Sequence, residues 1–180
     1  MMRTIPAAVL IALGPGILLT SCTHRADPSE MASVDQLIEK TDSMRLELTG
    51  MDTTALHHMH ALFEAERPGI EQRFRDTLLP HEAQVLGNYH QAMAERLPRL
   101  MAERNREQAR IDSTLMRLRN LRHDMGGGLM NRKTRKKALD MEMGWNRSLR
   151  NDFDQVEIAT KQLILDRSTY RSAIDSLLRQ

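Results

Sequence analysis

A single cysteine, Cys22, leaves the chain without a partner for any internal disulfide. Aromatic residues amount to 3%, and beyond position 21 the only valines are Val34, Val85 and Val156, so little here favours a β-sheet. Neither sign of charge dominates: 26 Lys and Arg stand against 24 Asp and Glu, a formal charge of +2, which excludes the broad basic field of a nucleic-acid-binding protein. No apolar run is long and unbroken enough for a membrane span, which needs about 20 residues. Also missing are a nucleophile elbow, a phosphate-cradling glycine loop followed by Lys-Ser or Lys-Thr, and a His-Glu-x-x-His helix, so no enzyme class is indicated.

What is present is helix-forming composition. Leu, Met, Ala, Glu, Gln and Arg are plentiful, and 41% hydrophobic with 28% charged residues suits a folded chain with one core. The 13 methionines are read as flexible core filler.

The N-terminus is punctuated differently. Arg3 supplies a short positive region, Ile5 to Leu19 an apolar stretch broken by Gly14-Pro15-Gly16, and Leu19-Thr20-Ser21-Cys22 a small-residue processing site. These four residues resemble the lipobox of bacterial lipoprotein precursors. The resemblance implies a signal peptide over 1–21, cleavage before Cys22, and a lipid anchor of acyl chains such as palmitate on Cys22. Two or three chains suffice for stable attachment, each buried methylene contributing roughly 0.8 kcal/mol. Thr23 and His24 follow Cys22, with no acidic residue next to it. By the sorting rules of lipoproteins this implies the periplasmic face of the outer membrane. Residues 22–29 then form the lipidated cysteine and a short tether, and 30–180 a single helical domain.

Periodicity predicts a first helix from about Ser29 to Leu48, with Met31, Val34, Ile38, Thr41 and Leu48 inward and Gly50 as its stop. A second begins at Asp52-Thr53-Thr54 and carries Leu56, Met59 and Phe63 until Pro68-Gly69 kinks or ends it. Ile70 to Leu79 reads as a further short piece closed by Pro80. From His81 the pattern continues to Met125, with a bend expected at Pro98, and Gly126-Gly127-Gly128 reverses the chain into a last helix over 131–178. That helix has a seam of alternating four- and three-residue steps: Leu149, Phe153, Val156, Thr160, Leu163, Arg167, Tyr170, Ile174 and Leu177. The fold expected is all-α, an elongated helical bundle or a long antiparallel helical hairpin with short N-terminal helices. The seam is expected to pack within the chain, and homo-oligomerisation through it stays open.

Two clusters carry candidate chemistry. His57, His60 and Glu64 share one sector of the second helix, as three ligands of a divalent metal would, although that sector lies opposite Leu56, Met59 and Phe63 and so also fits a solvated face. Arg132, Lys133, Arg135, Lys136 and Lys137 place five cations in six positions at the start of the last helix, where the macrodipole disfavours them; an anionic surface or acidic partner would use them. Trp145, alone of its kind, is expected to cap the core beside Met141 and Leu149.

In helix content, size, and Met and Arg usage the chain is similar to small periplasmic helical proteins of the Spy and CpxP type, which sense envelope stress or chaperone other proteins. Leu48-Thr49-Gly50-Met51-Asp52 begins like their Leu-Thr-x-x-Gln repeat and departs from it at the last position. The expectation is a lipid-anchored, non-catalytic envelope protein with a structural or interaction role, contacting the membrane through its lipid and another envelope protein or anionic envelope component. A metal-binding or stress-response role is the alternative.

Overall fold

The computed structural model describes residues 26–75 and 78–179; the lipobox, Cys22 and the signal segment lie outside them. Among the described residues every regular element is helical and no strand occurs. The elements are α1 (Pro28–Gly50), α2 (Thr53–Arg73), α3 (Pro80–His90), a π-helical segment (Gln91–Arg96), α4 (Leu97–Gly126) and α5 (Arg132–Leu178).

Local chemistry sets the boundaries. Asp27 caps α1 by accepting the Ser29 amide at 2.9 Å, Glu30 accepts the Asp27 amide at 3.2 Å, and Pro28 occupies the first turn, where its missing N–H costs nothing. Asp52 accepts the Ala55 amide at 2.9 Å and restarts the chain as α2 after a two-residue break. At the far end of α4, Gly128 takes φ of 69°, the left-handed conformation that only glycine adopts without strain. The Leu129 amide then reaches Asp124 O at 3.0 Å and the Gly128 amide Met125 O at 3.3 Å, a Schellman closure. Asn131 accepts the Thr134 amide at 2.9 Å and opens α5.

The prolines act differently from the sequence expectation. Pro68 does not end α2, which runs on to Arg73 because Phe63 and Ile70, on either side of it, are both fully buried and hold the helix on the core. Pro80 opens a helix instead of closing one: it sits in the first turn of α3, and Glu82 accepts the Leu79 amide at 2.9 Å. Ahead of Pro98 the helix widens into the π segment, with the Leu97 amide bonded to Ala92 O. This wider turn makes room for a ring that would otherwise collide with the carbonyl four residues back.

Cross-contacts give the topology. Arg135 pairs with Glu30, Asn146 with Thr41, and Arg150 with Glu47, so α1 runs parallel to α5; Arg171 pairs with Glu66 and Arg73 with the Leu177 carbonyl, so α2 continues in the same direction. Arg117–Glu142, Arg110–Asp152 and Arg96–Asp166 run α3, the π segment and α4 antiparallel to α5. The result is a three-rod bundle: α1 with α2, then residues 80–126, then the 47 residues of α5, about 70 Å long at 1.5 Å per residue.

The inward face of α5 follows the expected seam. Leu149, Phe153, Val156, Thr160, Leu163, Ile174 and Leu177 are buried against the chain's own helices, with Arg167 and Tyr170 half-buried. One apolar cluster surrounds Phe63, Tyr89, Leu97 and Phe153; a second, at the glycine-turn end, joins Val34, Leu37, Leu118, Leu121, Met125 and Leu139. Between them lie buried polar groups: Asn146 donates to the Thr41 hydroxyl at 2.6 Å, and Glu142 accepts from Arg117.

Leu163 is 1% exposed in the larger cluster. Leu163→Asp should lower stability by roughly 4 kcal/mol, since an unpaired carboxylate would enter an apolar interior. Thermal unfolding followed by circular dichroism measures it, and an unchanged midpoint would mean that the seam faces solvent.

Candidate functional site

The basic run sits where the Schellman turn hands the chain to α5. Its five cations do not share one environment. Arg132, Lys133, Lys136 and Lys137 are exposed, whereas Arg135 is 4% exposed and turned inward. The Arg135 guanidinium donates to Glu30 Oε2 at 2.9 Å and to Met130 O at 2.8 Å, tying the start of α1 and the turn to α5. Arg135 thus belongs to the fold, and the solvent-facing set is reduced to four. Two helix N-termini, those of α1 and α5, meet at this end with one C-terminus, that of α4, so the helix dipoles together leave a positive contribution there. Asp27 answers in part: hydrogen bonds from the Ser29 amide and hydroxyl, and to a lesser degree the charges of Arg132 and Arg135, hold its carboxyl below the usual range. Leu129, at the apex of the turn, is 70% exposed.

The histidine cluster is looser than its spacing suggests. His57 is exposed, His60 Nε2 stands 3.7 Å from Glu64 Oε1, and Arg67 engages the same oxygen at 2.6 Å. Among the described residues no three His, Cys, Asp or Glu side chains converge as metal ligands. A cation at Glu64 would have to displace the Arg67 contact.

A third feature was not singled out from sequence. Arg117 donates to both oxygens of buried Glu142, at 2.7 and 3.0 Å, and its guanidinium lies 4.7 Å above the Trp145 ring. Trp145 does not cap the core; it is 47% exposed, because its position faces the groove between α4 and α5 and Arg117 covers it. Arg117 and Trp145, together with Arg106, Arg110 and Ser148, line a shallow cleft of about 490 Å³. Such a lining suits a carboxylate-bearing or aromatic group. Beside it, Glu107 is 3% exposed; one oxygen meets Arg110 at 2.9 Å and Oε1 has no partner. Burial pushes its carboxyl above the usual range, against the opposing charge of Arg110. The signal for these residues was available in the heptad: continuing the four-three spacing backward from Leu149 lands on Asn146, Glu142, Leu139 and Arg135, all buried.

Two tests separate structural charges from surface ones. Arg135→Ala should cost about 3 kcal/mol by leaving Glu30 unpaired and partly enclosed, whereas Lys136→Gln should leave the melting midpoint unchanged. For Glu107, a folded-state carboxyl raised above its unfolded value favours the folded state at low pH and loses that contribution as pH rises through the folded value. Glu107→Gln should therefore raise the melting midpoint at pH 7 by a few degrees and lose that benefit below about pH 4, where the carboxyl is mostly protonated in the folded and unfolded states alike. Thermal melts across pH check the sign; a variant less stable than the parent at pH 7 would show that the Arg110 pair outweighs burial.

No protein-family model, curated protein or solved structure matches the chain.

Proposed function

We propose that this protein is a lipid-anchored rod of the bacterial cell envelope, attached through Cys22, with a structural or protein-interaction role and no catalysis. The periplasmic face of the outer membrane is its proposed site. The observation that carries this reading is where the start of α1 lies in the bundle. Ala26 packs with Met130 and the Leu139 cluster at one end of a rod about 70 Å long, so an anchor only four residues earlier would hold the rod by its tip.

Two further features support it. No helix among the described residues is long and apolar enough to cross a membrane, so on this reading attachment rests on the acyl chains of Cys22. An interaction role draws on the sides of the rod, where the Arg117–Trp145 cleft and the exposed Ile158 and Leu165 of α5 offer contact surface to another envelope protein.

Cys22→Ala should abolish acylation, leaving the protein in the soluble fraction or as unprocessed precursor. Membrane fractionation with a size comparison decides it: a variant that is cleaved normally and stays in the membrane fraction like the parent would refute the anchor.

A further inference from the structure

We propose that the exposed face formed by Arg132, Lys133, Lys136 and Lys137, with Leu129 at its tip, is a docking surface for an anionic lipid bilayer that stands the rod upright on the membrane. The proposal rests on the anchored reading above and adds to it a specific contact. Three observations converge on it.

The first is placement. Glu30 and Arg135, 2.9 Å apart, lock the start of α1 against the first turns of α5, so Ala26 and the basic face occupy the same end of the bundle. Three residues lie between Cys22 and Ala26, four steps of chain that reach at most about 14 Å, so an acylated Cys22 keeps this end beside the lipid headgroups.

The second is the state of the cations. Along the rod many surface arginines are matched with carboxylates, Arg45 with Asp42, Arg96 with Asp166, Arg122 with Asp35 and Arg171 with Asp175 among them, while the exposed Lys40, Arg106, Arg119 and Arg147 have no ion pair among the described residues but are spread singly through the sequence. Among the described residues no carboxylate lies at ion-pair distance from the exposed Lys133, Lys136 and Lys137, which crowd five positions of α5, although α1 and α5 each present an N-terminus here that disfavours added positive charge. Their steps of three and one along α5 keep them on one side of the helix, away from the inward line of Arg135, Leu139 and Glu142. A surface that leaves like charges adjacent and unanswered is complementary to a sheet of phosphates, which a polybasic patch meets without needing shape.

The third is the apex. Leu129, the most exposed of the large apolar side chains, stands on the turn directly before these cations, where an apolar residue can enter the headgroup region while lysines beside it reach phosphate. Because the anchor holds this end in place, the contact forms at a high effective concentration and each cation can be individually weak.

The test uses the full chain as purified from membranes. It is mixed with vesicles of phosphatidylcholine alone or of phosphatidylcholine with phosphatidylglycerol. A membrane-impermeant amine reagent then reports each lysine by mass spectrometry, with Lys161, far along the rod, as internal reference. Docking requires that labelling of Lys133, Lys136 and Lys137 fall at least about threefold on the anionic vesicles relative to Lys161, and return in high salt as screening shortens the reach of the headgroup charges. Equal labelling on the two vesicle types overturns it. Sedimentation of the same samples at low and high salt reads the anchor separately: a lipidated chain sediments with both vesicle types at either salt, whatever the lysines do. A chain that sediments only with anionic vesicles and only at low salt, with its lysines protected, keeps the docking surface and overturns the anchor; a chain that sediments with neither at low salt overturns both.

Discussion

The inward stripe of α5 is the constraint on which the other elements depend. It extends from Arg135 to Leu177 in alternating steps of four and three, and α1, α2, α3 and α4 are each laid against some part of it. A helix of 47 residues has no globular interior to enclose it, so its apolar line is covered only if two further rods of matching length lie alongside. Residues 80–126 supply one unbroken rod at the cost of a π segment before Pro98, and α1 with α2 supply the other in two pieces. Removing the stripe's burial would leave three amphipathic helices with little reason to associate, since single helices gain most of their stability from packing.

Along so regular a seam, one heptad slides over the next with little change in apolar contact, and the buried polar groups oppose that sliding. Asn146 finds the Thr41 hydroxyl, Glu142 the Arg117 guanidinium and Arg135 the Glu30 carboxylate only in the observed alignment. Shifting any rod by a turn would strand a buried donor or charge, which costs more than the pair contributes when made. These pairs therefore act mainly on register, and they divide the interior into the two apolar clusters at either end.

The same alignment gives the rod unlike ends. At one, the start of the chain, two helix N-termini and the exposed lysines are gathered around the Schellman turn. At the other, Tyr89 donates to Glu66 at 2.9 Å beside Arg171, and burial with that hydrogen bond pushes the phenol up to about 12. An elongated body with unlike ends is the shape on which the proposed anchored role draws.

Helical class, the reversal at Gly126-Gly127-Gly128 and the α5 seam were legible in the sequence because each rests on local chemistry: side-chain entropy, glycine's access to positive φ, and a period close to that of the helix. So was the density of the basic run. Composition and spacing did not decide that α2 would run through Pro68, because that depends on Phe63 and Ile70 being buried against distant rods. Nor could they divide the basic run, where Arg135 is taken inward by Glu30, a partner 105 positions away, while Lys136 next to it stays in solvent. Trp145 came out half-exposed under Arg117 for the same reason. Which charges are structural and which are offered to a partner is settled only when helices remote in sequence come within hydrogen-bond distance, and that proximity is a property of the tertiary fold.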